Sequence, residues 1–292
     1  MPRQITYLNG EFVPHEKAFV HVDDRGFTFA DGIYDFILVH KGCLINEEAH
    51  LDRIDYSLGE MQIEWPLSRD DLKTTLREMV RRNELVEGFV YMQFTRGVAP
   101  RDHPFPPKDT KPTAVITARH MPFATWEQAA KGVGVLTLPD ERWKRCDIKS
   151  LAILPNILAR EKAVRAGAAE AWMFDEDGFI TEGPACNAWI ITKDGTVVTR
   201  HLDRAILSGV TRRKLRAVLQ SQGITLEERK FSVEEAKNAA EAYLTNSPYL
   251  VKPVTKIDDT VIGTGQAGPV TLKILKAYRA ALEEQCDTRS NQ

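Results

Sequence analysis

The stretch that says most about the fold is Arg142–Leu151, RWKRCDIKSL. Its lysine, Lys149, precedes an apolar run, Leu151–Leu154, and a helix start led by Pro155. An amine at the edge of a buried region loses solvation of its ammonium form, which favours the neutral, nucleophilic form. Such a lysine can form an imine with a carbonyl cofactor. Taken alone, the residue fits a solvated surface lysine better, so the case for chemistry depends on other segments.

The bulk properties are those of an ordinary globular protein. The 292 residues suffice for one large or two moderate domains, and a formal charge of −2 argues against a nucleic-acid partner because no basic excess is available to neutralise phosphates. No stretch has the apolar character of a signal peptide or a membrane span, so we expect a cytoplasmic protein without a membrane partner. The cysteines form no CxxC pair, which predicts free thiols and no metal site.

Local signals near the N-terminus predict a hairpin and two helices. Asn9–Gly10 between two apolar runs predicts a β-hairpin over residues 5–13. Apolar residues at three- and four-residue steps predict an amphipathic helix through Leu51–Met61. Ser68 with Asp71 has the spacing of a capping box and predicts the start of the next helix.

A proline-rich loop, residues 96–107, lies between β-rich runs at 89–94 and 113–118. It is too long for a simple hairpin turn, and long ordered loops are more often functional than short ones. The loop is therefore a candidate for ligand binding.

We expect two domains of different size. Residues 1–120 are predicted to form a smaller N-terminal domain, 121–131 the connection, and 132–292 a larger C-terminal domain that carries Lys149. Strands and helices mix in this larger part without strict βαβ alternation, which favours an α+β fold over a doubly wound sheet. The elements predicted there are a strand at 133–138, a helix near 155–167, a strand at 170–174, a hairpin over 189–198, a helix from 209 to 223 and a capped helix start at Ser232.

Glu182 stands in ITEGPACN, residues 180–187, between a strand and a turn of small residues. A carboxylate in this position can hold a pyridinium nitrogen protonated, which strengthens a pyridoxal ring as an electron sink. A solvated turn glutamate is the simpler interpretation of the residue alone.

Several residues have the character of a phosphate site. Gly209–Thr211 begins a predicted helix, where free N–H groups and the positive end of the dipole favour an anion. Arg53 on the first amphipathic helix suits a phosphate fork or, equally, a salt bridge. Ser247 follows a short strand and can add a hydroxyl. The basic residues interpreted as a solvated helix face are Arg212, Arg213, Lys214 and Arg216.

Other catalytic motifs find no support. Gly263–Gly268 matches GxGxxG, but Pro269 and one last helix follow it, so the βαβ unit of a dinucleotide site is missing. The chain contains neither HExxH nor GxSxG, so zinc-dependent and serine hydrolysis are not indicated.

Together these segments resemble the fold-type IV pyridoxal-phosphate-dependent aminotransferases, and within them the D-amino-acid aminotransferase branch, which is related to the branched-chain aminotransferases. The resemblance covers nearly the whole chain and implies a two-domain α+β fold, with a smaller N-terminal α/β domain and a larger C-terminal mixed-sheet, barrel-like domain. The matching motifs are YLNGEFV, DRGFTFADGIYD, HLDRI, RGVAPRDHPFP, RWKRCDIKSL, TEGPACN and SGVTR.

The resemblance implies a role for each matching residue. The cofactor is pyridoxal 5′-phosphate, with Lys149 as the imine-forming lysine and Glu182 as the partner of the pyridine nitrogen. The implied phosphate-binding positions are Arg53, Val210, Thr211 and Ser247. The implied substrate-binding positions are Tyr34, Tyr91, Arg101 and His103.

Arg101 and His103 determine the implied substrate class. In the D-amino-acid enzymes the corresponding pair reaches from the neighbouring subunit and binds the substrate α-carboxylate. The resemblance therefore implies a homodimer with its active site at the subunit interface. The implied reaction is transamination between a D-amino acid, such as D-alanine or D-glutamate, and a 2-keto acid, pyruvate or 2-oxoglutarate.

The chain also departs from this pattern. Pro184–Cys186 stands where bacterial D-enzymes often carry serines, Asp35 replaces a glutamate, and Ser247–Pro248 replaces a Thr-Thr pair. Alternatives of the same fold are a branched-chain L-amino-acid aminotransferase, an R-selective amine transaminase and an aminodeoxychorismate lyase. A non-catalytic binding protein on this scaffold is an alternative of a different class.

Overall fold

The structure is a computed structural model that describes residues 4–290, and the packing of the chain divides it into two units. The first unit extends to Phe123 and includes Ile148–Ala152, and the second comprises Ala124–Asp147 and Ile153–Thr288. The segment 148–152, which the sequence assigned to the larger domain, thus packs with the first unit. It inserts there because its backbone is hydrogen-bonded to a strand of that unit.

The first unit is a six-stranded sheet with two long helices. Its elements, besides a 3₁₀ turn at His15–Lys17, are β1 (Ile5–Leu8), β2 (Glu11–Pro14), α1 (Arg25–Phe29), β3 (Gly32–His40), β4 (Cys43–Leu44), α2 (Glu47–Met61), α3 (Arg69–Arg82), β5 (Gly88–Thr95) and β6 (Thr113–His120).

The sheet order is β2-β1-β6-β5-β3-β4, with antiparallel pairing throughout. The predicted hairpin is confirmed, because Asn9 and Gly10 both have positive φ and join β1 to β2. The predicted cap of α3 is confirmed as well, since the Ser68 side chain accepts a hydrogen bond from the Asp71 backbone N–H. The apolar stripe of α2, Leu51 to Leu58, is buried in the core of this unit.

Successive side chains of β3 point to opposite faces of the sheet, so only some of them lie in this core. Ile33 and Ile37 are fully buried in it. Because successive strand residues point to opposite faces, Tyr34 lies on the other face. Tyr91 of β5 is on that same face, since it pairs in register with Phe36, two residues from Tyr34.

The second unit contains a mixed sheet surrounded by helices. Its elements are α4 (Trp126–Ala130), β7 (Val133–Pro139), α5 (Leu154–Arg165), β8 (Glu170–Phe174), β9 (Asn187–Ile191), β10 (Val197–Thr199), α6 (Val210–Ser221), β11 (Leu226–Glu228), α7 (Val233–Lys237), β12 (Glu241–Asn246), β13 (Leu250–Ile257), β14 (Thr260–Val261) and α8 (Pro269–Ser290).

Parallel and antiparallel pairs both occur in the second sheet. Its order is β11-β10-β9-β12-β13-β7-β8, with β14 beside β13. The pairs β13–β7, β7–β8 and β10–β11 are parallel and the others antiparallel, so the α+β expectation is confirmed. Gly223 has φ +63° just after α6, as its predicted place at the helix end requires.

The structure also describes the GxGxxG stretch, the cysteines and the longest helices. The GxGxxG stretch leads into α8 at Pro269, and within residues 4–290 no strand follows it. The four cysteines remain thiols. In the part of the chain that the structure describes, no helix combines the length and apolar character needed to cross a bilayer.

Candidate active site

The backbone around Lys149 is fixed between β3 and α2. The Lys149 carbonyl accepts a hydrogen bond from Tyr34 N at 3.0 Å, and Leu151 N donates to the Gly32 carbonyl at 2.9 Å. Lys149 N donates to Ser57 Oγ, 3.3 Å away on α2. These bonds place the lysine on the face of β3 that carries Tyr34.

The Lys149 amine lies against an aromatic pair. Its Nζ is 4.2 Å from the centroid of the Tyr34 ring, and Tyr34 stacks on Tyr91 with 5.8 Å between centroids. Burial, with a smaller contribution from Tyr34, raises the pKa of Tyr91 to about 12, so its phenol stays protonated at neutral pH. The face of the Tyr34 ring, which lies next to Nζ, can make a cation–π contact with a charged amine.

Arg53 of α2 lies in a buried ion pair with Asp35 of β3. Its Nε and Nη2 form a fork on Asp35, at 2.8 Å to Oδ2 and 2.7 Å to Oδ1. His50 Nδ1 lies 2.9 Å from Asp35 Oδ1. The sequence left a phosphate fork and a salt bridge equally open for Arg53, and the structure shows the salt bridge, with a guanidinium whose orientation is set by Asp35.

The protonation states of this cluster follow from its charges. Burial alone would raise the pKa of Asp35, but Arg53 and His50 outweigh it and hold that pKa well below its usual range. Burial lowers the pKa of His50 in spite of the attraction of Asp35, so the imidazole is neutral at neutral pH. The cluster thus contains one cation and one anion.

Glu182 is held by three groups in the second unit. Its Oε1 accepts hydrogen bonds from Arg142 Nη1 at 2.6 Å and from Leu207 N at 3.1 Å. Its Oε2 accepts one from Asn187 Nδ2 at 2.9 Å. Because a carboxylate oxygen can accept two hydrogen bonds, Oε2 retains capacity for one more N–H donor.

Arg142 is itself oriented by a second carboxylate. It forms a fork on Asp140, with Nε at 2.9 Å from Oδ1 and Nη2 at 2.8 Å from Oδ2, while the Thr181 hydroxyl donates to Asp140. Although burial alone would lower the pKa of Arg142, Glu182 and Asp140 raise it, so its charge is fixed. Burial raises the pKa of Glu182 against the attraction of Arg142.

The start of α6 lies beside this cluster. Gly209 precedes the helix, and a Cβ added there would collide with Asn187 Oδ1. The N-cap Gly209 has no side chain that could cap the helix, and Val210 and Thr211 are buried in its first turn. Its backbone N–H groups have the arrangement of an anion site.

Ser247 lies in the turn after β12, next to the turn that follows Glu182. Asn246 Nδ2 donates to the Ala185 carbonyl at 3.3 Å, and Asn156 Nδ2 donates to the Pro184 carbonyl at 2.8 Å. The departure at Pro184–Cys186 therefore leaves a turn that is held through its backbone carbonyls. Thr211 and Ser247 each carry a hydroxyl, and their assignment to a phosphate site remains a prediction.

Arg101 and His103 are exposed on the loop between β5 and β6. The Arg101 guanidinium lies 4.9 Å from the Phe29 ring centroid, and the His103 ring 5.6 Å from it. Among the described residues, neither makes a hydrogen bond or ring contact with Lys149 or Tyr34. Their assignment to a substrate site remains a prediction.

Sequence reasoning did not find the residues that orient the candidate site. Arg142, Asp140, Asn187 and His50 were not assigned a role. Arg142 acts on Glu182, 40 residues away, and His50 on Asp35, 15 residues away. The interpretation of the helix face was wrong for Arg212, which is 2% exposed and donates to Glu228 at 2.6 Å.

Residues 32–257 match the amino-transferase class IV family, and the chain belongs to that family. The chain is 36% identical to a D-alanine aminotransferase from Staphylococcus haemolyticus over 279 residues, which cover 96% of this chain and 98% of the relative.

Solved structures show the same fold. A branched-chain amino acid aminotransferase from Escherichia coli superposes with a TM-score of 0.88 at 23% identity, covering 96% of this chain and 95% of the other. One from a T.th. strain, solved with pyridoxamine 5′-phosphate, gives 0.89 at 23% identity, with coverage of 97% and 95%. The fold-type IV expectation is confirmed. The chain is an aminotransferase with pyridoxal 5′-phosphate as cofactor, acting on amino acids and keto acids.

Proposed function

We propose that this enzyme transfers the amino group of a D-amino acid, such as D-alanine or D-glutamate, to a 2-keto acid, pyruvate or 2-oxoglutarate. The observation that carries the proposal is the 36% identity, over nearly the full length of both chains, to relatives named D-alanine aminotransferase. The RGVAPRDHPFP loop, with Arg101 and His103, supports the same substrate class.

The residues of the candidate site fit the cofactor by their chemistry. Glu182 Oε2 retains acceptor capacity and suits a protonated pyridine nitrogen. Three groups suit the phosphate: the guanidinium of Arg53, the first turn of α6 at Val210 and Thr211, and the hydroxyl of Ser247. When bound, pyridoxal phosphate supplies an aldehyde that condenses with amines and a ring that accepts the electron pair released at Cα.

Lys149 has two tasks in this proposal. Its Nζ would hold the cofactor in the resting enzyme. Once displaced by the amine of the substrate, the same Nζ would take the proton from the substrate Cα and act as the general base of the transfer. The Tyr34 ring, whose centroid lies 4.2 Å from Nζ, packs against this amine. Arg142 Nη1 donates to Glu182 Oε1 at 2.6 Å and so keeps this carboxylate oriented.

Substrate recognition is proposed for the exposed loop and the aromatic pair. Arg101 and His103 bind the α-carboxylate of a substrate held by the partner subunit of a homodimer, with Tyr34 and Tyr91 beside the reacting carbon. A planar guanidinium next to an imidazole is a suitable carboxylate clamp. The cytoplasmic location stays a prediction.

The second candidate function is that of a branched-chain L-amino-acid aminotransferase or an R-selective amine transaminase. The structural similarity to branched-chain enzymes favours it, but at 23% identity that similarity shows the fold alone. Assays of D-alanine, L-leucine and an R-amine in parallel distinguish the candidates. A preference for L-leucine or the amine over D-alanine would contradict the proposal.

The test of the mechanism is Lys149→Ala. We expect turnover of D-alanine to fall by at least about 10²–10⁴-fold, since proton transfer at Cα loses its base. Borohydride reduction followed by peptide mass spectrometry should find the cofactor on Lys149 in the wild type and on no lysine in the variant. Lys144→Ala, an exposed lysine of the same segment, is the matched control and should behave as the wild type. Full turnover in Lys149→Ala would end the proposal.

A further inference from the structure

The motif DRGFTFADG, residues 24–32, contains a buried arginine that binds the backbone of the substrate loop. Arg25 is 4% exposed. Its Nη1 donates to the carbonyls of Asp102 at 2.7 Å and Pro104 at 3.4 Å, and its Nη2 donates to the carbonyl of His103 at 3.5 Å. One guanidinium thus engages three consecutive carbonyls of the loop that carries Arg101.

Arg25 is held in turn by a buried carboxylate. Its Nε donates to Asp31 Oδ2 at 2.7 Å. Arg96, the first residue after β5, also forms a fork on Asp31. Its Nε donates to Oδ2 at 2.8 Å and its Nη2 to Oδ1 at 3.0 Å. Burial alone would raise the pKa of Asp31, but Arg96 and Arg25 outweigh it and lower that pKa, so Asp31 remains anionic at neutral pH.

The same two arginines support the side chains of the loop. The Arg96 guanidinium lies 3.7 Å from the ring centroid of Phe105. The centroid of the Phe29 ring lies 4.7 Å from Arg25 Cζ and 4.9 Å from Arg101 Cζ. The His103 ring packs against the same ring in a tilted orientation. Phe29 is therefore a common support for Arg101 and His103, and Arg25 fixes it from the protein side.

This arrangement separates anchoring from recognition. The side chains of Arg101 and His103 are exposed, whereas the guanidinium that fixes their backbone is buried with its counter-ion. A long loop left to itself samples many conformations, and ordering it costs conformational entropy when a ligand binds. A loop that is held in advance avoids most of this cost.

We propose that Arg25, oriented by Asp31 and Arg96, is a positioning residue that gives the enzyme its specificity for substrates with an α-carboxylate, by fixing residues 102–104 so that Arg101 and His103 are presented together. This inference rests on the proposed function. Arg25 touches neither substrate nor cofactor in this role and acts through the loop.

The test is the half-reaction of the holoenzyme with D-alanine, followed by the cofactor's absorbance, in the wild type and in Arg25→Lys. Lysine keeps the charge but cannot bond Asp31 and reach three carbonyls at the same time. We expect the half-saturating D-alanine concentration to rise about tenfold, as for the loss of one to two hydrogen bonds. The limiting rate constant should change by less than about twofold, because the chemistry at Lys149 is untouched.

A double-mutant cycle distinguishes positioning from general stability. In an Arg101→Ala, His103→Ala background, Arg25→Lys should have almost no further effect, because the groups that it positions are gone. Arg200→Lys is the matched control: it replaces another buried arginine, which pairs with Asp175 and Asp203, and should leave the D-alanine dependence unchanged.

Each outcome decides the inference. If the wild type does not react with D-alanine, the proposed function fails and the inference fails with it. If the wild type reacts and Arg25→Lys has the same half-saturation, only the inference is overturned. An equal effect of Arg25→Lys in both backgrounds would assign Arg25 a structural role and also overturn it.

Discussion

Two buried clusters use the same fork to present opposite charges. In the first unit, Asp35 forms a fork with Arg53, and the group proposed to bind the cofactor is the cation. In the second, Asp140 forms a fork with Arg142, which donates to Glu182, and the group proposed to bind the cofactor is the anion. The second cluster has one more charged residue than the Asp35–Arg53 pair, so the last charge in it is negative instead of positive. In the proposed site, Asp35 and Arg142 thereby determine whether a cation or an anion is presented to the cofactor.

The largest expected effect comes from removing the middle of the longer cluster. Arg142→Met leaves Glu182 and Asp140 buried without their counter-ion, and we expect the free energy of unfolding to fall by about 3–5 kcal/mol. Denaturant unfolding of the apoenzyme measures it. Arg142→Met combined with Glu182→Gln should recover part of the loss, because less uncompensated charge remains buried. Wild-type stability in the single variant would show that the cluster is not coupled.

Removal of the terminal anion should affect catalysis more than folding. Glu182→Gln keeps the shape but not the charge, and we expect turnover to fall by about 10²–10³-fold, the usual effect of losing a preorganised electrostatic contact. Steady-state kinetics with D-alanine measure this. Glu241→Gln is the control, since Glu241 is a buried carboxylate that caps α8 through the Val270 and Thr271 N–H groups. A similar loss of turnover in both variants would remove the distinction.

The shorter cluster should show a smaller effect and a pH signature. Asp35→Asn removes the fork that orients Arg53, so the dissociation constant of pyridoxal phosphate should rise about tenfold. Because the pKa of Asp35 is lowered in the folded state, its contribution to stability is present above about pH 4 and is lost as the pH falls towards the folded-state pKa.

Acid unfolding of the two proteins tests that sign. The unfolding free energy of Asp35→Asn should depend less steeply on pH than that of the wild type below about pH 4. Asp52→Asn, which removes a half-exposed carboxylate of α2 that pairs with Arg69 of α3, is the control and should retain the wild-type slope and cofactor affinity. Equal slopes in all three proteins would contradict the assignment.

The sequence predicted best what depends on neighbours along the chain. The Asn9–Gly10 turn, the Ser68 cap and the end of α6 near Gly223 follow from local backbone preferences, and the structure confirms them. The family and its cofactor were predicted from motif order, and family membership bears them out.

The contacts that orient buried charged side chains could not be predicted from local sequence patterns. Arg142 and Glu182 are 40 residues apart, and nothing in either segment states that they pair. Arg212 was interpreted as solvated because it stands among other basic residues, yet it alone packs inward, with its guanidinium 5.6 Å from the centre of the Trp189 ring. Burial of a charged residue depends on where a distant partner lies, which local composition does not record.

Gly209 is a position at which a substitution would affect two contacts of the proposed site together. Its backbone abuts the amide oxygen of Asn187, whose nitrogen holds Glu182, and it also begins the turn of helix proposed for the phosphate. A methyl group at this one position would collide with Asn187, and so disturb both the contact proposed for the ring nitrogen and the contact proposed for the phosphate. In the proposed site, a substitution at Gly209 would therefore change the affinity for the ring and the affinity for the phosphate together.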